Sequence, residues 1–143
     1  MSEAASNSRV LILGKGGRLS GSLIQKIQTS GGHQELVNLS TRAMGSNEFD
    51  STFESFQLSK KEPEHVVFWC SGSSSNRSPF TDCQSDEKSL RDFIEIYCKR
   101  FQTPPHLIYF SSGGSVYGKS PGTVNELSPL NPETHYAEMK AKS

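Results

Sequence analysis

Tyr136 and Lys140 stand four residues apart in His135-Tyr136-Ala137-Glu138-Met139-Lys140. On a helix that spacing puts both side chains on one face, one above the other. A phenol with a pKa of about 10 is a poor base at neutral pH. A nearby ammonium favours the phenolate and lowers that pKa. The pair then makes a workable acid/base for moving a proton on or off a hydroxyl beside a hydride transfer. The ammonium also carries donors suited to a ribose. Taken alone, the spacing equally describes an exposed helix face. Its meaning comes from position, downstream of a strand ending in Ser111-Ser112-Gly113-Gly114.

A second group of residues is suited to an anion. Gly14-Lys15-Gly16-Gly17-Arg18-Leu19-Ser20-Gly21 follows a short apolar run and leads into a helical pattern. Glycines let the backbone approach a phosphate, and a helix N-terminus offers free N–H groups and a favourable dipole. Gly14 and Gly17 are three apart, Ser20 holds the place of the usual third glycine, and Gly21 follows. Ser20 is small enough to keep the helix close to the sheet. No Gly-Lys-Ser/Thr tripeptide closes the loop, which excludes a Walker-type phosphate loop. A glycine-rich turn with no ligand is the competing reading. Dinucleotide folds often carry an acidic residue after the second strand, for the ribose hydroxyls. Here Leu39 is followed by Ser40-Thr41-Arg42, without a carboxylate. An arginine there suits a 2′-phosphate and favours NADP over NAD, with Arg42 as an ordinary surface charge the alternative.

The elements that must position these groups are legible as alternating patterns. Arg9–Leu13 is a short apolar run that suits a buried strand, and Glu35–Leu39, His65–Cys70 and His106–Phe110 read as three further strands. Leu19, Leu23, Ile24 and Ile27 recur at helical spacing, and Gly31-Gly32 closes that helix. Phe49, Phe53 and Phe56 fit one face of a short helix inside the least readable stretch, Thr41 to Glu64, which Pro63 breaks. Ser71 to Pro79 reads as a loop. Leu90, Phe93, Ile94 and Tyr97 predict an amphipathic helix beginning near Asp86 and ended by Thr103-Pro104-Pro105. Strands alternating with helices at crossover intervals predict an α/β fold with a parallel sheet. No internal repeat or domain boundary is visible. Met1–Ser8 is expected to be a flexible tail, and residues 9–143 one cofactor-binding domain.

Composition removes several function classes. The 143 residues suffice for one modest domain with a core. Lys plus Arg equals Asp plus Glu, at 15 each, and no basic run exists. That balance argues against a nucleic-acid backbone binder and against an electrostatic membrane anchor. No stretch has the apolar length to span a bilayer. The polar N-terminus carries no signal-peptide pattern, so the cytoplasm is the expected compartment. Cys70, Cys83 and Cys98 form no Cys-x-x-Cys pair and are expected to be free thiols, with no metal site.

Four blocks together resemble the extended short-chain dehydrogenase/reductases, the NAD(P)-dependent epimerase/dehydratase family. They are Val10-Leu11-Ile12-Leu13-Gly14-x-x-Gly17, Val66-Val67-Phe68-Trp69-Cys70-Ser71-Gly72, Tyr109-Phe110-Ser111-Ser112-Gly113-Gly114-Ser115-Val116-Tyr117-Gly118, and Glu126-x-x-Pro129-x-x-Pro132-x-x-x-Tyr136-x-x-x-Lys140. Their order and spacing match along nearly the whole chain. The resemblance implies a Rossmann-type, doubly wound parallel sheet, incomplete at its C-terminal end. It implies NAD or NADP as cofactor and a nucleotide-activated sugar as substrate, handled by an epimerase, dehydratase or reductase. Tyr136 becomes the acid/base, and Lys140 binds the nicotinamide ribose and tunes the tyrosine. Gly14, Gly16, Gly17 and the backbone at Arg18 and Leu19 hold the pyrophosphate. Ser40, Arg42, Cys70, Ser71 and Gly72 complete the cofactor contacts. A homodimer is implied for a full-length form.

The departures from the family pattern are specific. Many members place a catalytic Ser or Thr four residues before the tyrosine of Val-Tyr-Gly, and here that position is Gly113. Ser112 is the assigned substitute, polarising the substrate oxygen, while Ser111 is structural. The family's later strands and substrate-binding portion have no counterpart before Ser143. The chain is therefore expected to keep cofactor-site geometry with little turnover, and Lys140, on a helix of about two turns, to fray. A non-catalytic NAD(P)-binding or regulatory module on the same scaffold is the alternative, favoured by Gly113.

Overall fold

The computed structural model describes residues 8–30, 35–58 and 64–143. Residues 1–7 of the expected tail, the Gly31-Gly32 helix stop and the Pro63 break lie outside the described residues. Ser8, the last residue of that expected tail, is buried.

The described residues fall into two compact units. The first comprises residues 8–71 and 93–109 and holds the sheet. Its strands are β1 (Arg9–Leu13), β2 (Glu35–Leu39), β3 (His65–Trp69) and β4 (His106–Tyr109), all parallel, in the order β2-β1-β3-β4. The register sets Val10 beside both Leu36 and Val66, and Trp69 beside Tyr109. β1 is central and all five of its residues are buried, as its unbroken apolar run predicts. Its one charge, Arg9, pairs with Glu35 and donates to the carbonyls of Ser55 and Phe56.

Strand side chains alternate between faces, and the two faces of this sheet have different partners. Val10, Val66 and Phe68 line a cleft with Lys26, Ile27 and Ser30, which belong to helix α1 (Arg18–Thr29) and its cap. On the other face Trp69 meets Phe93 at 5.5 Å between ring centroids. Phe49, Phe53 and Phe56, the expected apolar face of α2 (Asn47–Gln57), are fully buried there. Phe53 stands edge-on to Phe93, Tyr97 and Phe101. Burying one such phenyl contributes about 3 kcal/mol, so this aromatic cluster is the core of the unit. Helical elements on both faces of a parallel sheet make the doubly wound α/β arrangement.

The second unit comprises residues 72–92 and 110–143. It holds α3 (Phe80–Asp92), the short α4 (Gly113–Val116) and α5 (His135–Lys142), with α5 packed against both of the others. Two expectations about α3 need correction. It begins at Phe80, six residues before Asp86, directly after Pro79. Between Thr81 and Ser85 only Cys83 is buried, so the early turns show little apolar periodicity. The pattern Leu90, Phe93, Ile94 and Tyr97 is also not one α-helical face. Residues Phe93–Tyr97 form a π-helical turn, whose extra residue per turn rotates Ile94 outward to 41% exposure.

Candidate functional site

In the first unit, the carboxyl ends of β1, β2 and β3 come together, where open α/β sheets bind ligands. Gly14 leaves β1 at φ +126° and Gly16 turns at φ +90°, both in the left-handed half that glycine tolerates. Gly14 N–H donates to the Leu39 carbonyl at 2.9 Å, which fixes the turn to the end of β2. Cys70 N–H donates to the Leu13 carbonyl at 2.8 Å, which fixes the end of β3 beside it. A Cβ on Gly14 would meet the Cys70 carbonyl oxygen at 2.6 Å. Only glycine lets these two backbones approach so closely.

Gly17 occupies the N-cap of α1 and no side chain among the described residues caps that helix. The first-turn N–H groups, at Arg18 and Leu19, therefore present donors and the positive end of the helix dipole. Ser20 does more than fill the third glycine's place. It is 1% exposed, and its hydroxyl contacts the carbonyls of Gly14 at 2.7 Å and Gly17 at 2.9 Å. Those bonds tie the turn to the helix it feeds. This role was invisible in the sequence, where Ser20 reads only as a small residue. A turn with exposed glycines, an uncapped helix and a locked backbone fits a pyrophosphate.

Around that turn, Ser40 opens a single 3-10 turn, Thr41–Ala43, that carries an exposed Arg42. The Thr41 hydroxyl bonds to the Ser71 hydroxyl, linking the ends of β2 and β3, a contact the sequence did not signal. Cys70, half-buried beside the turn, has its thiol pKa pushed up by burial. Cys98 is pushed up to about 11 by the same cause. All three cysteines are free, and the two raised ones stay protonated at neutral pH.

The second unit contains Gly72, Ser112, Tyr136 and Lys140. Thr134 caps α5 by accepting the Ala137 N–H at 3.1 Å. Ala137 and Met139, two residues apart, are buried on different sides of α5, which packs against both α3 and α4, while Tyr136 and Lys140 are half-buried. The Lys140 ammonium donates to the Phe110 carbonyl at 3.0 Å and lies 5.7 Å from the Tyr136 ring centroid. Ser111 donates to the Lys140 carbonyl at 3.4 Å. Lys140, which helix length alone would leave to fray, is thus held from the segment that follows β4. The Ser112 hydroxyl donates to Ser115 at 3.0 Å, a partner the sequence did not single out. Gly113, at the family's usual hydroxyl position, opens α4 with nothing within 4 Å of where a Cβ would stand. Among the described residues, no helix is long and apolar enough to cross a membrane.

No protein-family model matches the chain, and no curated protein matches it either. Solved structures do. The chain is similar to a dTDP-glucose 4,6-dehydratase from Bacillus anthracis str. Ames in complex with NAD, at 14% identity and a TM-score of 0.63, over 94% of this chain and 47% of that one. It is similar to a short-chain dehydrogenase/reductase superfamily protein from Agrobacterium tumefaciens with bound NAD, at 17% identity and 0.61, over 92% and 42%. It is also similar to a mutated uronate dehydrogenase, at 14% identity and 0.56, over 93% and 50%. At these identities the likeness is one of fold, and this chain spans half or less of each neighbour's length.

Proposed function

We propose that this chain, which has the extended short-chain dehydrogenase/reductase fold, is the NAD(H)-binding part of an oxidoreductase of the epimerase/dehydratase type acting on a nucleotide-activated sugar. The glycine turn carries the proposal: Gly14 and Gly16 at positive φ, Ser20 locking the turn, and an uncapped α1. Gly14, Gly16, Gly17 and the N–H groups of Arg18 and Leu19 hold the pyrophosphate. Ser40, Cys70, Ser71 and Gly72 complete the cofactor contacts. Arg42 favoured NADP in the sequence, but two of the similar structures hold NAD, so NAD(H) is the cofactor proposed here.

Bound nicotinamide would accept and return a hydride. Tyr136 takes a proton from a sugar hydroxyl at its phenolic oxygen, or gives one back. Lys140 donates to the ribose and keeps its positive charge beside the Tyr136 ring. The Ser112–Ser115 hydroxyl pair polarises the substrate oxygen in place of a side chain at position 113.

One observation favours a second reading, a binding module without chemistry: Gly113 supplies no hydroxyl. The two readings separate in a single series. The chain is titrated with NADH and NADPH, followed by nucleotide fluorescence, then mixed at high concentration with NAD+ and a panel of nucleoside-diphosphate sugars. NADH binding with at least single-turnover NADH formation supports the enzymatic reading. Binding with no turnover supports the module, and no binding of either nucleotide overturns both.

A further inference from the structure

The loop between Gly72 and Pro79 is built around hydrogen bonds that the functional reading does not use. Asp86, on α3, accepts the N–H groups of Ser73 at 2.9 Å and Ser74 at 2.8 Å, and also the Ser74 hydroxyl. Gly72, at φ +138°, passes so close that a Cβ would lie 3.3 Å from the same carboxylate oxygen. The loop is thereby pinned just ahead of Asn76, whose exposed side chain has bonds at both ends. Asn76 Oδ1 accepts from the Thr134 hydroxyl at 3.0 Å, and Nδ2 donates to Ser115 Oγ at 3.0 Å. These partners lie 58 and 39 residues away in the chain.

We propose that Asn76 is a positioning residue, tying the Ser112–Ser115 hydroxyl pair to the capped first turn of the helix that carries Tyr136. The inference rests on the reading of Tyr136 and the serine pair given above. A hydroxyl has two acceptor sites and one proton. Ser115 Oγ accepts from Ser112 and from Asn76, so both acceptor sites are filled. Towards any further partner Ser115 acts as a donor only, which is the role a polarising hydroxyl requires. Two donors into one oxygen also strengthen the bond it gives in turn. Without the Asn76 amide, Ser115 could turn a lone pair outward and the polarising bond would be lost. On the other side, Thr134 both caps α5 and donates to Asn76, so one amide sets the helix start and the hydroxyl orientation together.

The test uses the whole chain, 15N-labelled, with hydrogen exchange of the Ala137 amide as readout, and NADH binding measured on every variant. Asn76→Ala is expected to speed Ala137 exchange about threefold. Asn76→Asp keeps the acceptor for Thr134 and loses the donor to Ser115, so its Ala137 exchange stays near wild type. In single-turnover reduction of NAD+ with dTDP-glucose, or with whichever nucleoside-diphosphate sugar the wild type turns over, both Asn76 variants are expected to be slowed about tenfold or more. A merely structural asparagine would be rescued by aspartate in both readouts. Unchanged Ala137 exchange in Asn76→Ala, or full turnover in Asn76→Asp, overturns the proposal while leaving the NADH reading intact. Failure of the wild type to bind NADH overturns that reading first, and the exchange result then decides the Asn76 linkage alone.

Discussion

The carbonyl oxygen of Cys70 stands 2.6 Å from the point where any side chain at Gly14 would begin. The two residues directly follow neighbouring strands, β1 and β3, and their contact holds the mouth of the glycine turn. Gly14→Ala meets both a backbone clash and the strain of φ +126°, so it should destabilise the fold by about 3 kcal/mol or more. Gly16→Ala meets strain alone, with nothing within 4 Å of its Cβ, and should cost about 1–2 kcal/mol. Gly17→Ala, 3.3 Å from the Gly14 carbonyl, should cost about 1 kcal/mol or less. Urea midpoints of the three variants test that ranking, and equal losses would contradict it.

Tyr97 is the keystone of the aromatic cluster and is 3% exposed. Its hydroxyl donates to Asp50 at 2.6 Å and accepts the Gly45 N–H at 2.9 Å. Tyr97→Phe keeps the ring contacts and strands both partners. The expected loss is about 1–3 kcal/mol in unfolding free energy, and an unchanged midpoint would show that water replaces the hydroxyl without penalty.

β1 was legible because a fully buried apolar run ending at a glycine has few other solutions in a parallel sheet, and α1 because its apolar residues recur at helical spacing. The phenylalanines of α2 were legible for the same kind of reason: three aromatics at helical spacing have nowhere else to go. The start of α3 was not, since Thr81–Ser85 carries one buried residue and burial supplies the only sequence signal. The π-helical turn at Phe93–Tyr97 was hidden because apolar spacing does not encode which turn gains a residue. At the site, Gly14, Tyr136 and Lys140 stood out by type and spacing. Ser20, Thr41, Asn76, Asp86 and Ser115 did not, because their importance lies in partners up to 58 residues away.

The Lys140 ammonium lies 5.7 Å from the Tyr136 ring centroid and donates to the Phe110 carbonyl at 3.0 Å. Lys140→Met keeps a good helix former and removes both. It should weaken NADH binding about tenfold, the loss expected for one charged hydrogen bond. Tyr136→Phe should bind NADH as the wild type does and lower single-turnover hydride transfer by about 100-fold or more. Weakened NADH binding in Tyr136→Phe would place the phenol in cofactor retention instead.

His65 makes the stability of this chain depend on mild acid. Its ring packs 5.3 Å from Phe56 and 4.9 Å from Phe101, and its Nε2 lies 3.3 Å from the Phe56 carbonyl. Burial lowers its pKa below the ordinary 6.5, the Phe56 carbonyl partly opposes that by favouring the protonated ring, and the positive charge of Arg9 lowers it further. A depressed histidine is neutral in the folded chain while its unfolded counterpart still binds a proton. Stability is therefore fully present above pH 6.5 and falls as pH drops from there towards the folded pKa. The His65→Gln variant can still donate to Phe56 and has no proton to take up. Between about pH 7.5 and about pH 5.5 the wild-type urea midpoint should fall further than that of His65→Gln. Parallel falls would assign the acid sensitivity to other groups, because the only titration removed by the substitution is that of the imidazole.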